Sequence, residues 1–221
     1  MELWHDFATN NKKVMHKWSH YFSIYERHFA AWQGKSLTFL EIGVANGGST
    51  HMWQRYFGPR ARIVGIDIDP RCKQNEHYNV NIRTGDQRNT NFLQSIIDEF
   101  GVPDIVLDDG SHIMHDIRTS FEFFYPKMGK NAVYMIEDLQ VAYYNPIYGG
   151  GLESPDNFFN VSKNHIDQMH YKFNGLSAGI VDNTFNISYY PYIICYEKWE
   201  PVIEEIYSGI DGFLGAAGIY F

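Results

Sequence analysis

SLTFLEIGVANGGSTHMWQRYFG, residues 36–58, runs from an apolar stretch of strand length, through a cluster of small residues, into apolar positions at helical spacing. SLTFLEIG (36–43) reads as a strand entering a glycine-rich turn, and GGSTHMWQRYFG (47–58) as the next helix, closed by Gly58-Pro59. Gly43, Ala45 and Gly48 form an imperfect G-x-A-x-x-G, with alanine where the second glycine of a dinucleotide fingerprint stands. Taken with the upstream acid it becomes E-x-G-x-A-x-G, from Glu41 to Gly47. Small residues let the backbone approach a ligand, and an acid beside the turn suits a cationic amino-acid moiety better than a phosphate.

Outward from this unit, strands and helices alternate. Upstream, Val14, Trp18, Tyr21, Phe22, Ile24, Tyr25 and Phe29 predict a helix over 14–33 that stops at Gly34. Downstream, strands are expected at 61–69, 78–86, 103–109 and 131–138, with helices at 88–101 and around 114–125. Right-handed crossovers then give an α/β fold: a Rossmann-like, doubly wound, mostly parallel sheet. FNISYYPYIICYEKW (185–199) adds a C-terminal antiparallel hairpin around Pro191 at the sheet edge, for seven strands. Residues 1–221 are read as one domain with an N-terminal helical segment at 1–35 and a lid loop at 143–165. The glycine-spaced apolar tail, 209–221, receives no structural assignment.

Composition narrows the function classes. A formal charge of −8 disfavours duplex nucleic acid, which selects a basic face. No apolar run approaches the ~18 residues of a membrane span, and the N-terminus has charges and amides where a secretion signal needs an apolar core. Two scattered cysteines, Cys72 and Cys195, fit reduced thiols in the cytoplasm rather than a disulfide framework or zinc cluster. The expected partner is a small molecule, with neither nucleic acid nor membrane. Aromatic residues at 17% fill the core, line a pocket or bury a homo-oligomer interface, and composition does not choose among these.

The strand ends carry the chemistry. Asp67 ends the second strand where a ribose-binding acid belongs, and Asp86-Gln87 end the third where a heterocycle would be hydrogen-bonded. The competing reading is that Asp67, Asp69 and Asp86 cap turns and helices. DIVLDDGSHIMHD (104–116) and AVYMIEDL (132–139) each stop an apolar run with acids. Ligands of doubly wound sheets sit outside the carboxyl ends of the strands, so Asp109 and Glu137-Asp138 converge. Carboxylates held that close repel, and a proton or a cation must sit among them. Oxygen ligands favour Mg²⁺, with Ca²⁺ or Mn²⁺ as other divalent cations of this chemistry. His112, three residues past Asp109, faces the same point as a proton acceptor, and Asp108 caps the following helix or joins the cofactor contacts. An iron centre of His112, His115 or His165 with Asp109 is an alternative, but it leaves Glu137-Asp138 unused.

In order, HKWSHYFSIYERHF, LEIGVANGGSTHMWQRYFG, RIVGIDIDP, GDQ, DIVLDDGSH and YMIEDL resemble the pattern of class I S-adenosylmethionine-dependent methyltransferases. Within that class they look like the metal-dependent O-methyltransferases acting on macrolide sugars and the group labelled cephalosporin hydroxylase-like. The resemblance covers roughly residues 12–140. It implies S-adenosylmethionine on the loop from Glu41 to Ser49, with Gly43, Ala45, Asn46 and Gly47 in contact. It places the ribose on Asp67 and the adenine at Asp86-Gln87. It also implies Mg²⁺ on Asp109, Glu137 and Asp138, with His112 as base. The macrolide enzymes carry a further N-terminal region that is not expected here, so their acceptor does not carry over.

The reaction so implied is methyl transfer to a hydroxyl of a sugar or other vicinal diol, on a small molecule or glycan. Two rivals remain at this level. An NAD(P)-dependent oxidoreductase would leave Ala45 and the carboxylate cluster unexplained, and a non-catalytic cofactor-binding protein would not need His112.

Overall fold

The computed structural model describes residues 2–144 and 147–199. Two N-terminal helices, α1 (Leu3–Ala8) and α2 (Tyr21–Phe29), precede β1 (Leu37–Ile42) and α3 (Gly48–Phe57). Then follow β2 (Ala61–Asp67), β3 (Val80–Thr84), α4 (Thr90–Phe100), β4 (Ile105–Asp108), α5 (Met114–Phe124) and β5 (Val133–Ile136). A helix, α6 (Phe158–Met169), and two strands, β6 (Thr184–Tyr190) and β7 (Ile193–Lys198), complete the described chain.

The strands form one seven-stranded sheet in the order β3-β2-β1-β4-β5-β7-β6. β1 to β5 are mutually parallel, and β7 pairs antiparallel with both β5 and β6. This is the expected mostly parallel Rossmann-like sheet, with the hairpin at its edge. The order reverses between β1 and β4, the switch point where crossovers diverge and a crevice opens beyond the strand ends. Register brings that crevice together: Ile42 pairs with Asp108, and Asp108 with Ile136. The ladder runs one bond further, with Asp109 N–H donating to Ile42 C=O and Glu137 N–H to Asp108 C=O, both at 2.9 Å.

Alternation along the strands divides the core into two layers. Phe39, Ile105, Leu107, Val133 and Met135 pack against α2 and α3. Leu40, Ile42, Val106, Tyr134 and Ile136 pack against α4, α5 and α6. The first layer is aromatic: Phe39 lies 5.1 Å from the rings of both Trp53 and Phe57 and 6.0 Å from Phe29. Each such buried side chain contributes about 1.5–3 kcal/mol through area removed from water, enough to seat α2 and α3 firmly on the sheet.

Two expectations are corrected. The helix foreseen over 14–33 begins at Tyr21; residues 14–18 have no regular secondary structure, and Val14 and Trp18, counted in its apolar face, are exposed. The strap they form lies over the N-terminus of α3, so close that a Cβ on Gly48 would stand 2.3 Å from the Val14 carbonyl oxygen. The last third of the loop expected at 143–165, from Phe158 onward, is helical: Asn157 caps α6 by accepting from Phe159 N–H at 2.9 Å. The tail at 209–221 lies outside the described residues. No described helix is long and apolar enough to cross a membrane.

His165, on α6, is buried, stacks on Phe121 and bonds the Tyr196 hydroxyl through Nδ1 at 2.9 Å. Burial pushes its pKa down from 6.5 to about 4. The unfolded chain therefore binds this proton more readily, and stability present above pH 6.5 is lost as pH falls toward 4. Between pH 7 and 5 the loss amounts to about 2 kcal/mol. Urea unfolding of His165→Gln should show a correspondingly smaller drop over that interval than the parent chain.

Candidate active site

The turn after β1 is held by Asp67 at the end of β2. Its Oδ2 accepts from the N–H groups of Val44 (2.8 Å) and Ala45 (2.9 Å), and Oδ1 accepts from Asp69 N–H at 2.9 Å. Burial acts to raise the Asp67 pKa, but these three bonds outweigh it and hold the carboxyl below its ordinary value. Asp67 thus caps the glycine turn while also lining the crevice on both sides. Gly43 has φ +93°, and a Cβ there would stand 2.0 Å from the Asp109 carbonyl oxygen. A side chain at 43 would close the gap between β1 and β4.

Two cavities meet at this ridge, sharing Gly43, Asp67 and Gly110. The first, about 270 Å³, is walled by Ile68, Asp86, Gln87 and Ser111. Gln87 Oε1 accepts from Ser111 N–H at 2.9 Å, while Asp86 grips the Arg88 guanidinium at 2.6 Å, which lowers its pKa. The second, about 300 Å³, is walled by Ala45, Asn46, Ser49, Asp109, His112 and Asp138, with Lys17 alongside. The structure thus brings most of the expected residues to one crevice.

Glu41 lies behind the second cavity, fully buried. It continues the face of Leu37 and Phe39, so an acid occupies a core position against Trp53, whose Nε1–H donates to Oε1 at 3.2 Å. Oε2 is buried with no hydrogen-bond partner. Burial raises the Glu41 pKa to about 7, against the pull of Lys17 and Ser49.

Asp108 departs from the expectation of a cofactor contact. It shares the face of Val106, so it points under the sheet toward α5, where Ser120 Oγ (2.5 Å) and the Tyr134 hydroxyl (3.0 Å) donate to Oδ2. Gln87 Nε2 reaches Oδ1 at 3.4 Å, so Asp108 acts on the crevice by orienting Gln87. Burial pushes its pKa to about 6.

The acidic end has a different membership from the one expected. Ligand atoms of Asp109, His112 and Asp138 all lie within 4.8 Å of one another. His112 Nε2 stands 3.8 Å from Asp138 Oδ2 and 4.0 Å from Asp109 Oδ1. Both His112 (φ 59°) and Asp138 (φ 55°) occupy the left-handed region, a local strain of order 1–3 kcal/mol each that the surrounding bonds must hold. Tyr21 supplies one such bond, donating to Asp138 Oδ1 at 2.7 Å.

Glu137, expected beside them, follows the parity of Val133 and Met135 and points down toward α2. It is 1% exposed, bonded by the Tyr25 hydroxyl and by Lys17. Lys17 Nζ donates to Asp109 Oδ2 at 2.6 Å and to Glu137 Oε2 at 2.7 Å, with its side chain 3% exposed. Burial alone would lower the Lys17 pKa, but the charges of Asp109, Glu137 and Glu41 raise it well above its ordinary value. Burial and the Asp109 charge act to raise the Glu137 pKa, while the Lys17 ammonium and the Tyr25 hydroxyl act to lower it.

Sequence reasoning missed Lys17 because it falls in the part of the expected 14–33 helix that is irregular, ahead of Tyr21. The signal that was present is the demand of the strand-end carboxylates for a cation. The alternative centre of His112, His115 and His165 is not assembled: His115 is exposed on α5 beside Asp116, and His165 is in the opposite core layer.

No family model matches the chain. It is 34% identical over 158 residues to 8-demethyl-8-alpha-L-rhamnosyl tetracenomycin-C 2'-O-methyltransferase of Streptomyces olivaceus, covering 68% of this chain and 41% of that protein. It is 41% identical over 135 residues to mycinamicin VI 2''-O-methyltransferase of Micromonospora griseorubida, covering 57% and 33%. The chain thus matches well under half the length of these relatives. Among solved structures it superposes on the MycE methyltransferase of the mycinamycin biosynthetic pathway, in complex with Mg, SAH and mycinamycin VI. That likeness has a TM-score of 0.78 and 29% identity, over 98% of this chain and 58% of the other. By sequence and by fold together, the chain is a homologue of sugar O-methyltransferases and shares the Rossmann-like fold of the MycE methyltransferase.

Proposed function

We propose that the chain is the catalytic part of an S-adenosylmethionine- and divalent-metal-dependent O-methyltransferase that modifies a sugar hydroxyl of a small-molecule glycoside. The observation that carries this reading is the single crevice in which the glycine turn of β1 and the Asp109–His112–Asp138 group face each other. A methyl donor seated on the turn would present its methyl group to an oxygen held at the acids. The reading is supported by relatives named for methylation of sugar hydroxyls and by a solved neighbour that holds Mg and SAH.

The residues fit those two groups. Gly43 and Ala45 leave room for a ligand against the backbone, while Gly47, expected with them, packs on Asn75 outside the cavity, and the unpartnered Oε2 of buried Glu41 offers an acceptor behind the turn. The cavity at Asp86, Gln87 and Ser111 suits the nucleoside end, and Asp67 on the shared ridge suits the ribose between them. Asp109 and Asp138 supply the hard oxygen ligands that Mg²⁺ selects, with Glu137 behind them. When bound, the ion would acidify and orient the acceptor hydroxyl while S-adenosylmethionine supplies an already activated methyl.

The chain's own residues then have defined tasks. His112 Nε2, facing both acids, takes the hydroxyl proton, and Asp109 and Asp138 stabilise the imidazolium that results. Tyr21 fixes the Asp138 carboxylate, and the strained turns at 112 and 138 hold the groups in place ahead of the reaction. The segment from residue 147 to 157 is tied to the start of α5, Met114 N–H donating to Tyr148 C=O at 2.8 Å, and serves as the element that closes over the acceptor. Buried reduced Cys72 and Cys195 suit a cytoplasmic enzyme.

Calorimetric titration with S-adenosylmethionine, beside an NAD⁺ control, tests the cofactor. Binding in the micromolar range with no NAD⁺ signal is expected; an NAD⁺ isotherm, or silence with S-adenosylmethionine, would sink the proposal. Gly43→Ala should abolish that binding, since its methyl would overlap the Asp109 carbonyl. With a methyl-accepting glycoside and Mg²⁺, His112→Ala should lower kcat by about 10²–10⁴-fold while leaving cofactor affinity within a few-fold.

A further inference from the structure

Lys17 is the feature of the crevice that the methyl-transfer scheme does not use. Its ammonium bridges Asp109 Oδ2 and Glu137 Oε2, between two of the three carboxylates that the strand ends offer to a metal. Glu137 is left with no free face: Lys17 holds one oxygen and the Tyr25 hydroxyl the other. With Lys17 in place, the two of these three carboxylates open to the crevice are Asp109 and Asp138.

We infer that Lys17 is an exchangeable internal cation: it neutralises the Asp109–Glu137 pair when no metal is bound, and a divalent ion displaces it to recruit Glu137. This rests on reading the acidic cluster as a metal site. Mg²⁺ takes oxygen ligands at about 2.1 Å, so an ion on these two carboxylates and an ammonium 2.6–2.7 Å from the same oxygens would stand no more than about 4.8 Å apart. Three positive charges at that separation in a buried site repel strongly, and one cation must leave.

The chain allows the exchange. Lys17 belongs to the irregular strap of residues 14–18, which no helix or strand holds, whereas Asp109 and Glu137 are anchored by the sheet ladder. The strap is fastened upstream through Lys13, which bonds the side chain of Asn75, and downstream by α2. Withdrawal of Nζ therefore requires a side-chain swing and a local shift of the strap, both cheap beside movement of a strand. Lys17 is on this account a positioning residue, setting metal affinity and the coordination of Glu137 without touching the reacting atoms.

The test combines chemical labelling with metal binding. Lysine acylation followed by mass spectrometry, on the unaltered protein, should find Lys17 protected without metal and reactive under saturating Mg²⁺. Mn²⁺ affinity, read by electron paramagnetic resonance, should rise on the order of tenfold or more in Lys17→Met, the change expected from removing one nearby unit charge. Lys17→Arg, which keeps the charge, should bind Mn²⁺ within a few-fold of the parent chain. Glu137→Gln should weaken Mn²⁺ binding in the Lys17→Met background. Lys17 protected both with and without bound metal, or a Glu137→Gln change without effect, overturns the exchange while leaving the metal site standing. Absence of Mn²⁺ binding in both the parent chain and Lys17→Met removes the metal site, and the exchange with it.

Discussion

Acidic side chains gather where water is least able to help them: at the carboxyl ends of β1, β4 and β5, on the face covered by α2 and α3. Glu41 and Glu137 are buried outright, and Asp109 stands between them. Desolvated carboxylates on neighbouring strands repel, and leaving one unpaired costs several kcal/mol. Much of the surrounding structure can be understood as the answer to that cost. The strap before α2 brings in the Lys17 ammonium, and α2 itself contributes the hydroxyls of Tyr21 and Tyr25, one to Asp138 and one to Glu137. Aromatic residues on the same helix, Phe22 and Phe29, fasten it to the core, so the polar ends of Tyr21 and Tyr25 are delivered by apolar packing.

The second constraint is a steric one. β1 and β4 approach so closely at the switch point that residue 43 can carry no side chain, and the ridge it forms with Asp67 and Gly110 is common to both cavities. A ligand lying along the strand ends must cross that ridge with its backbone-facing atoms against glycine. One end then reaches Gln87 and Ser111, the other the acids and His112. Asp108 and Asp109 illustrate how finely this depends on strand parity. They are adjacent in the chain, yet one turns under the sheet to Ser120 and Tyr134 and the other into the crevice.

Most of the fold was legible in the sequence, because the strands are short apolar runs that end in glycine or acid and the helices between them keep one apolar face. The strand-end acids, the glycine turn and His112 were legible for the same reason: in a parallel sheet, position along the chain and position at the rim are nearly the same information. The N-terminal strap was not. Val14 and Trp18 happen to continue the helical spacing of Tyr21, Tyr25 and Phe29, and periodicity carries no record of whether an apolar residue is buried; both are exposed. Asn157 gave a local capping signal for α6, but a loop rich in glycine and proline immediately before it obscured where the helix began.

By itself, then, the sequence determined the order of elements, the sheet they build and the residues that end at its carboxyl rim, since these follow from local pattern and chirality. Tertiary structure decided which of those residues share a point. Glu137 was assigned by proximity to Asp138, but alternation sends it toward Tyr25 and Lys17 instead. Lys17 is 92 residues from Asp109 and 120 from Glu137 along the chain, and no spacing rule links them. Their meeting is set by the packing of α2 on the sheet and by the need of buried carboxylates for a counter-charge, a condition that only the folded, desolvated site imposes.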